Sequence, residues 1–357
     1  MNELEAMTRA IELAWRGWGR VQPNPLVGAV VLVGGDPVGE GWHAELGGRH
    51  AESVALAAAG ERARGATVVV TLEPCAHQGR QPPCTDALIR AGVRRVVAAL
   101  ADPNPVAAGG AARLREAGIE VEIGLLADAA AAQNAAFLHR IRDASRPFVA
   151  LKLATTMDAK IADAGGNSRW ISSSAARDYV HWLRAGFDAI AVGGVTARTD
   201  DPELTVRGQL RPRVAPVRVV FAADADLPAS LALVRTAGEL PTVVFVAELA
   251  PSRRVESLEA SGVEVQRVGD LQTALAALRA RGIASLLVEG GGRLAGALLA
   301  EGLVDRYYWV QSPLWLGAGG APAMAGLPSI PLAGADRWIV AERRALGQDT
   351  LLVLDRS

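Results

Sequence analysis

Four side chains near the start of the chain have the types and spacing of a catalytic zinc site. His50, Cys75 and Cys84 offer one imidazole and two thiolates, which are ligands that zinc prefers in a tetrahedron. Three protein ligands leave the fourth position for water, which distinguishes a catalytic zinc site from a structural one. Zinc lowers the pKa of bound water to about 7, so hydroxide forms at neutral pH. Glu52 is expected to carry the proton from that water to the substrate and the departing amine.

The predicted secondary structure places these residues at the ends of regular elements. The Ala-rich segment 51–63 is expected to be a helix that begins beside His50 and Glu52. The β-branched segment 66–72 is expected to be a buried strand that ends shortly before Cys75. The alternative interpretation is a surface histidine with two buried, inert thiols.

The second cysteine precedes another predicted helix, residues 85–91, whose N-terminus stabilises a thiolate. The spacing of the two cysteines is unusual for a base deaminase. The general signature has two residues between them, whereas eight residues separate Cys75 from Cys84 in this chain. A longer zinc loop is therefore expected here.

Apolar segments of helical and extended character alternate along the whole chain, which predicts an α/β fold with helices layered on sheets. The further predicted helices are 4–17, 111–118 and 175–185, and the further predicted strands are 27–33, 93–100, 148–153, 189–192, 217–221, 242–246, 285–288 and 306–310. The short polar stretch 143–147 separates two such patterns, so we expect one domain over residues 1–145 and another over residues 146–357.

Composition narrows the class of protein. With 357 residues, half of them hydrophobic, and a net charge of −1, the chain can form two ordinary cores and shows no basic surplus for nucleic acid. Two cysteines do not make a disulfide framework, and no apolar run is long enough for a membrane span. The acidic start lacks the pattern of a signal peptide. We therefore expect a cytoplasmic protein with a small-molecule substrate.

Three segments of the N-terminal half, 23–29 (PNPLVGA), 71–84 (TLEPCAHQGRQPPC) and 102–105 (DPNP), resemble the bifunctional deaminase/reductase family of riboflavin biosynthesis. The resemblance implies a cytidine-deaminase-like three-layer α/β/α domain with one zinc ion per chain. It also implies hydrolytic deamination of a 2,5-diamino-6-ribosylamino-pyrimidinone 5′-phosphate, in which the ring 2-amino group becomes a carbonyl.

Four further residues are candidates for binding that substrate. The resemblance implies that Asn24 hydrogen-bonds the ring; a structural role in a proline-bounded turn is the alternative. His77 and Arg80 lie inside the zinc loop, and the planar fork of an arginine suits a phosphate; a solvated loop is the alternative. His43, seven residues before His50, is expected near the ring or the phosphate.

The C-terminal half contains a glycine-rich turn, 290–292, between a predicted strand and a predicted helix, where backbone N–H groups favour phosphate; an ordinary tight turn is the alternative. No G-x-G-x-x-G motif indicates a Rossmann dinucleotide site. Segments 148–154, 168–171, 193–196 and 199–207 resemble the dihydrofolate-reductase-like α/β reductase domain of the same family. The resemblance implies that NADPH lies near Ala154, Trp170, Thr196, Asp200, Gly291, Gly292, Arg293, Leu294, Ala295, Gly296 and Ala297.

The same resemblance implies a reductase substrate site at Ser168, Arg184, Leu204, Arg207 and Glu289. The arginines would supply paired charge for the ribose 5′-phosphate. Hydride transfer from NADPH to C1′ would then give a ribitylamino side chain. The alternatives are a helix-surface role for Arg184, a turn cap for Asp200 and core packing for Trp170.

The sequence thus predicts a zinc-dependent pyrimidine deaminase domain followed by an NADPH-dependent reductase domain, in a chain expected to form a homo-oligomer. Two rival hypotheses are weighed against this one. A nucleic-acid editing deaminase needs a basic tract or an aromatic stacking platform, and the sequence shows neither. A ligand sensor with a degenerate site would have lost part of the zinc set, yet His50, Glu52, Cys75 and Cys84 are all present.

Overall fold

The structure, a computed structural model, describes residues 1–79 and 81–356. Backbone contacts divide the chain into two compact units, Met1–Arg142 and Asp143–Ser357. Both units combine sheets with helices, so the predicted α/β class is confirmed. Within the described ranges, each helix is too short or too polar to cross a bilayer.

Among its described residues, the first unit contains one five-stranded sheet and six α-helices. Its strands are β1 (Gly28–Val33), β2 (Asp36–Trp42), β3 (Thr67–Leu72), β4 (Arg95–Leu100) and β5 (Glu120–Ile123). Its helices are α1 (Glu3–Ala14), α2 (Ala51–Ala59), α3 (Cys84–Ala91), α4 (Gly110–Glu116), α5 (Ala127–Gln133) and α6 (Ala135–Arg142). Short 3-10 helices follow α1 and α2, at Trp15–Gly17 and Gly60–Ala63.

The strand order of this sheet is β2-β1-β3-β4-β5. β1 is antiparallel to both of its neighbours, and β3, β4 and β5 run parallel. Alternating side chains of the central strands face two separate cores. One core packs against α2, α3 and α4, and the other packs against α1 and α5. The result is a three-layer α/β/α unit.

Two glycines of β2 let α2 approach the sheet. A Cβ at Gly39 would lie 2.2 Å from the carbonyl oxygen of Ala55, and a Cβ at Gly41 would lie 2.3 Å from that of Ala51. Any side chain at either position would push the helix away. Because α2 begins beside His50 and carries Glu52 in its first turn, these glycines help to fix the depth of both side chains.

Up to residue 356, where the described part of the chain ends, the second unit contains a nine-stranded sheet, a two-stranded ribbon and six α-helices. Its strands are β6 (Phe148–Thr155), β7 (Lys160–Ala162), β8 (Ala189–Gly193), β9 (Val217–Phe221), β10 (Thr242–Ala247), β11 (Glu264–Val268), β12 (Ser285–Glu289), β13 (Arg306–Gln311), β14 (Ala321–Pro322), β15 (Trp338–Leu346) and β16 (Asp349–Arg356). Its helices are α7 (Ser174–Arg184), α8 (Gly194–Asp200), α9 (Ala232–Arg235), α10 (Ser252–Ala260), α11 (Leu271–Ala280) and α12 (Gly292–Ala300).

The large sheet has the order β11-β10-β9-β8-β12-β6-β13-β16-β15, and it is parallel from β11 through β13. Helices α11 and α12 cover one face of the sheet, while α9 and α10 cover the other. The carboxyl ends of β8, β12 and β6 therefore lie side by side. In open α/β sheets, ligands bind beyond this edge.

Candidate functional sites

His50, Cys75 and Cys84 converge in the first unit, where their ligand atoms all lie within 4.8 Å of one another. His50 Nδ1 is 3.3 Å from Cys84 Sγ and 3.7 Å from Cys75 Sγ. A tetrahedral ion with ordinary Zn–N and Zn–S bonds holds these atoms about 3.6 Å apart. In the described part of the chain, no fourth His, Cys, Asp or Glu joins the group. The donor set therefore fits zinc with one position left for a non-protein ligand.

Three different elements supply the ligands. His50 is the N-cap residue of α2, Cys75 follows β3, and Cys84 is the first residue of α3. The backbone N–H of Cys84 points at Cys75 Sγ, 3.4 Å away. Hydrogen bonds from the Cys84 thiol, from His50 and from this N–H lower the pKa of Cys75 below the ordinary thiol value. The site thus stabilises a thiolate ligand.

Glu52 lies in the first turn of α2, and only 4 % of its surface is exposed. Burial raises its pKa above the ordinary carboxylate value. Glu52 also lines a cavity of about 460 Å³ together with His50 and Cys75. A cavity of this volume is large enough to enclose a small-molecule ligand. A buried carboxyl group is thus placed beside the three candidate ligands, facing the same space.

Asn24 and His43 line this cavity and contact each other. Asn24 Nδ2 is 3.1 Å from His43 Nε2, and His43 Nδ1 is 3.2 Å from the carbonyl oxygen of Arg49. A carbonyl only accepts, so Nδ1 carries the proton and Nε2 accepts from the Asn24 amide. Burial lowers the pKa of His43, which favours this neutral form. The pair fixes the amide orientation of Asn24.

Of the two remaining predicted residues of this unit, the structure describes only His77. His77 lines the cavity, whereas Arg80 lies outside the described residues. Sequence reasoning missed Glu73, whose carboxylate accepts from the backbone N–H groups of Asp102 at 3.0 Å and Ala111 at 2.8 Å. Glu73 thereby holds the Asp102 loop against the cavity. A carboxylate between a strand and a Pro-Cys pair is the sequence signal that could have found it.

In the second unit, Arg184 and Glu289 form a two-point ion pair at the carboxyl end of β12, with Nε–Oε1 at 2.6 Å and Nη2–Oε2 at 2.9 Å. Arg184 also donates to the carbonyl oxygen of Thr205 at 2.8 Å. Burial alone raises the pKa of Glu289, but the charge and hydrogen bonds of Arg184 outweigh it and the pKa is lowered. Three of the five Arg184 donor hydrogens are engaged, and two are left for a ligand.

Two basic residues that sequence reasoning missed lie beside this pair. Lys152 is the register partner of Glu289 on the neighbouring strand β6, and burial lowers its pKa. His181 Nδ1 accepts the backbone N–H of Arg207 at 3.2 Å. Burial, together with the charges of Arg184 and Arg207, lowers the pKa of His181. A lone lysine within the apolar strand 148–155 is a signal that could have been used.

The two predicted substrate residues of the Leu204–Arg207 segment differ in the exposure of their side chains. The Leu204 side chain is 2 % exposed and belongs to the core, so any ligand contact must use its backbone. Arg207 is exposed and its guanidinium lies 2.7 Å from Glu203. The structure therefore brings Arg184, Glu289 and the Arg207 backbone together, and leaves the Arg207 side chain at the surface.

Two glycine-containing turns meet at the ends of β8 and β12. Gly291 has φ +87°, and a Cβ there would lie 3.0 Å from Thr196 Oγ1. Gly193, the last residue of β8, lies beside α12, where a Cβ would be 3.7 Å from the Leu294 Cβ. Beyond this turn, Leu294, Ala295 and Gly296 are buried within α12, while Arg293 is exposed. Only the first positions of the predicted 291–297 segment therefore present backbone to a ligand. The cradle suits a phosphate group, since Gly291 has no Cβ there and the Thr196 hydroxyl can donate a hydrogen bond.

The last predicted residues lie at the end of α8, in the loop before α7 and near the end of β6. Ser168 Oγ donates to Asp200 Oδ1 at 3.3 Å. Trp170 is 66 % exposed and its ring lies 4.5 Å from the guanidinium of Arg177, so it is not a core residue. Ala154 lies near the carboxyl end of β6.

Comparisons with known proteins cover both units. Residues 1–100 match the cytidine and deoxycytidylate deaminase zinc-binding region, and residues 147–352 match the RibD C-terminal domain. The Escherichia coli riboflavin biosynthesis protein RibD is 41% identical over 99% of each chain, and that of Aquifex aeolicus is 40% identical over 98% of this chain and 97% of its own.

Solved structures give the same picture. Acinetobacter baumannii RibD superposes with a TM-score of 0.82 at 37% identity, covering 99% of each chain. A diaminohydroxyphosphoribosylaminopyrimidine deaminase/5-amino-6-(5-phosphoribosylamino)uracil reductase from Thermotoga maritima also gives 0.82, at 35% identity and 99% coverage of each chain. The cytidine-deaminase-like and reductase folds predicted for the two halves are confirmed.

Proposed function

The chain belongs to the RibD family of bifunctional deaminase/reductases of riboflavin biosynthesis, and from this premise we propose how its residues divide the two reactions. The first unit deaminates a 2,5-diamino-6-ribosylamino-pyrimidinone 5′-phosphate. The second unit then reduces the ribosyl group of the product to a ribityl group with NADPH. The observation that carries the first assignment is the convergence of His50, Cys75 and Cys84 beside the buried Glu52.

In the deaminase unit, His50, Cys75 and Cys84 hold one zinc ion, which when bound supplies a water of lowered pKa as nucleophile. Glu52 would accept one proton from the attacking water and pass it to the ring nitrogen. It would then accept the second proton, from the hydroxyl group added to the ring, and pass it to the amine, which leaves as ammonia as the carbonyl forms. Its burial keeps bulk water from competing for these protons. Burial also raises its pKa above the ordinary carboxylate value, which favours its return to the protonated form.

Substrate recognition in this unit uses the polar cavity lining. Asn24 hydrogen-bonds the pyrimidine ring with the amide orientation that His43 sets. His43 is then a positioning residue, because its two ring nitrogens are engaged by Asn24 and by the carbonyl of Arg49. His77 and Arg80 are proposed to contact the ribose phosphate end.

In the reductase unit, NADPH supplies the hydride. The turns at Thr196 and at Gly291–Gly292 accept its phosphate groups, which is supported by the space that the absent Gly291 Cβ leaves beside Thr196. Trp170 offers an exposed flat surface, and Ala154 and Asp200 border the same edge of the sheet. Arg293 and the residues to Ala297 support this turn from within α12.

The reductase substrate is held at the carboxyl ends of β6 and β12. The two free Arg184 donor hydrogens and the exposed Arg207 side chain bind the ribose 5′-phosphate, with Ser168 and the Leu204 backbone nearby. Glu289 keeps Arg184 in place through their two-point ion pair.

The test is to incubate the purified full chain with the diaminopyrimidinone phosphate and to identify products by mass spectrometry. Without NADPH we expect an amine replaced by a carbonyl, together with stoichiometric ammonia. With NADPH we expect a further gain of two hydrogens. Failure to release ammonia from zinc-loaded protein would remove the deaminase assignment, and deamination without the later gain would remove the reductase assignment.

A Glu52→Gln variant separates catalysis from metal binding. We expect it to retain zinc by elemental analysis and to lose ammonia release, since the amide cannot accept the water proton. Ammonia release at the wild-type rate would exclude Glu52 from this role. The homo-oligomer, the cytoplasmic location and the preference for NADPH over NADH stay predictions.

A further inference from the structure

We infer that Arg140, on the last helix of the first unit, binds the 5′-phosphate of the deaminase substrate. The inference rests on the proposed deaminase function and extends it. Arg140 lines the same cavity as Glu52, His50 and Cys75, although 88 residues separate it from Glu52 in sequence. No motif in the sequence points to it.

The charges around the cavity make a cation necessary. Glu52, Glu73 and Asp102 line the cavity, and a phosphate dianion entering among three carboxyl groups is repelled by them. Glu73 and Asp102 are already engaged with backbone N–H groups, which fixes them in place rather than leaving them to move away. Among the described residues that line the cavity, Arg140 is the only Arg or Lys.

The position of Arg140 is set by a polar clamp at the start of its helix. The side chain of Asn134, immediately before α6, accepts the backbone N–H of Leu26 at 2.8 Å and donates to the carbonyl oxygen of Leu26 at 3.0 Å. Leu26 lies two residues after Asn24. The clamp therefore ties α6 to the loop that presents Asn24 to the cavity.

Arg140 then follows Asn134 by about 9 Å along the helix axis. Phe137, one turn earlier, also lines the cavity, and the guanidinium of Arg140 lies 5.6 Å from its ring centroid. This cation–ring contact restrains the long side chain, and the planar fork of an arginine matches the geometry of a phosphate. The cavity thus has a proton-transfer group at Glu52, a ring-binding group at Asn24 and an anion-binding group at Arg140.

The test compares two substrates on the full chain in the absence of NADPH: the diaminopyrimidinone nucleotide and the same compound without its 5′-phosphate. Ammonia release reports only on the first unit, so phosphate binding elsewhere in the chain does not enter. For Arg140→Met we expect KM for the nucleotide to rise about 10- to 100-fold, because the phosphate loses its hydrogen-bonded cationic partner. KM for the dephosphorylated compound should not change.

Two variants control the interpretation. Arg142→Met changes an exposed arginine in the last turn of the same helix that does not line the cavity, and it should leave both KM values unchanged. Arg140→Lys should restore part of the nucleotide KM, since it keeps the charge and loses the fork. Zinc content and thermal midpoint are measured for each variant to verify folding.

The outcomes separate the inference from the proposed function. Wild-type protein that releases no ammonia from either compound would contradict the deaminase assignment. If the wild type is active but Arg140→Met weakens both substrates equally, or neither, Arg140 is not a phosphate ligand. A larger KM confined to the phosphorylated substrate, partly reversed by lysine, supports the inference.

Discussion

Arg184 and Glu289 hold each other at two points although 105 residues separate them, and both side chains are nearly buried. A buried ion pair stabilises little relative to an apolar pair, but removing one partner leaves the other charge buried and unpaired. The pair also fixes the Thr205 backbone through the remaining side of the guanidinium. It therefore connects the end of β12 to the loop that is proposed to bind the reductase substrate.

Glu289→Leu should destabilise the second unit by about 3 kcal/mol, because it leaves the Arg184 charge without its partner. Urea unfolding followed by tryptophan fluorescence measures the effect, and ammonia release verifies that the first unit is intact. Glu203→Gln is the matched control, since Glu203 pairs with Arg207 at the surface, where both side chains are more than half exposed. Its effect should stay below about 1 kcal/mol. Equal effects of the two changes would contradict this prediction.

The same pair predicts an acid-dependent loss of stability. The folded-state pKa of Glu289 is lowered, so the unfolded chain binds more protons between that pKa and the ordinary value of about 4.3. The stabilisation is complete above about pH 4.3 and is lost as the pH falls through the folded-state pKa. Glu289→Gln should be less stable at pH 7 and should show a shallower acid decline. An unchanged slope in urea midpoints below pH 4.3 would contradict the assignment.

Lys152 is expected to affect the pH dependence of stability in the opposite direction: it destabilises the folded unit at neutral pH. Burial lowers its pKa, so charged Lys152 opposes folding below the folded-state pKa, and this penalty fades as the pH approaches the unfolded value of about 10.4. Lys152→Met should therefore raise the urea midpoint at pH 7 and flatten its rise at alkaline pH. The variant should also reduce NADPH oxidation, since the register partner of Glu289 is lost. A lower midpoint at pH 7 would show that attraction to Glu289 exceeds the burial penalty.

Removal of zinc should affect the two reactions differently. A chelator is expected to abolish ammonia release while leaving NADPH oxidation with the deaminated substrate intact, because the His50, Cys75 and Cys84 group lies within the first unit. Loss of a ligand that binds only the folded state also lowers the melting temperature of that unit. Restoring zinc should recover both properties. Parallel loss of NADPH oxidation would mean that the second unit depends on the metal.

Much of the sheet framework follows from apolar patterning, since a buried strand such as β3 (TVVVTL) consists almost entirely of β-branched residues. The strand β2 escaped detection because its segment, DPVGEGW, contains a proline and two glycines. Those glycines are required by the close approach of α2, a contact that a single sequence does not reveal. The edge hairpin of β15 and β16 was likewise not predicted.

The zinc site was predictable because one histidine and two cysteines, which are preferred zinc ligands, lie in recognisable motifs. Arg140, Glu73 and His181 were not, because each acts through contacts between segments far apart in sequence. Arg184 was named in advance, but its pairing with Glu289 depends on strand order, which places α7 and β12 together. Patterning indicates which residues are buried, whereas the partners of buried polar groups emerge only from the folded chain.

Gly291→Ala should weaken NADPH binding at least tenfold. The added Cβ would approach Thr196 Oγ1 to 3.0 Å and occupy the space proposed for a phosphate, at a φ of +87°. Gly282→Ala is the matched control, because Gly282 has a similar φ of +83° but open space around a Cβ. Both changes place a side chain at a positive φ, which costs about 1–2 kcal/mol in the left-handed region, so the control accounts for that strain. Quenching of protein fluorescence by NADPH measures the dissociation constant without turnover. Equal weakening by both variants would assign the effect to strain and remove Gly291 from the cofactor site.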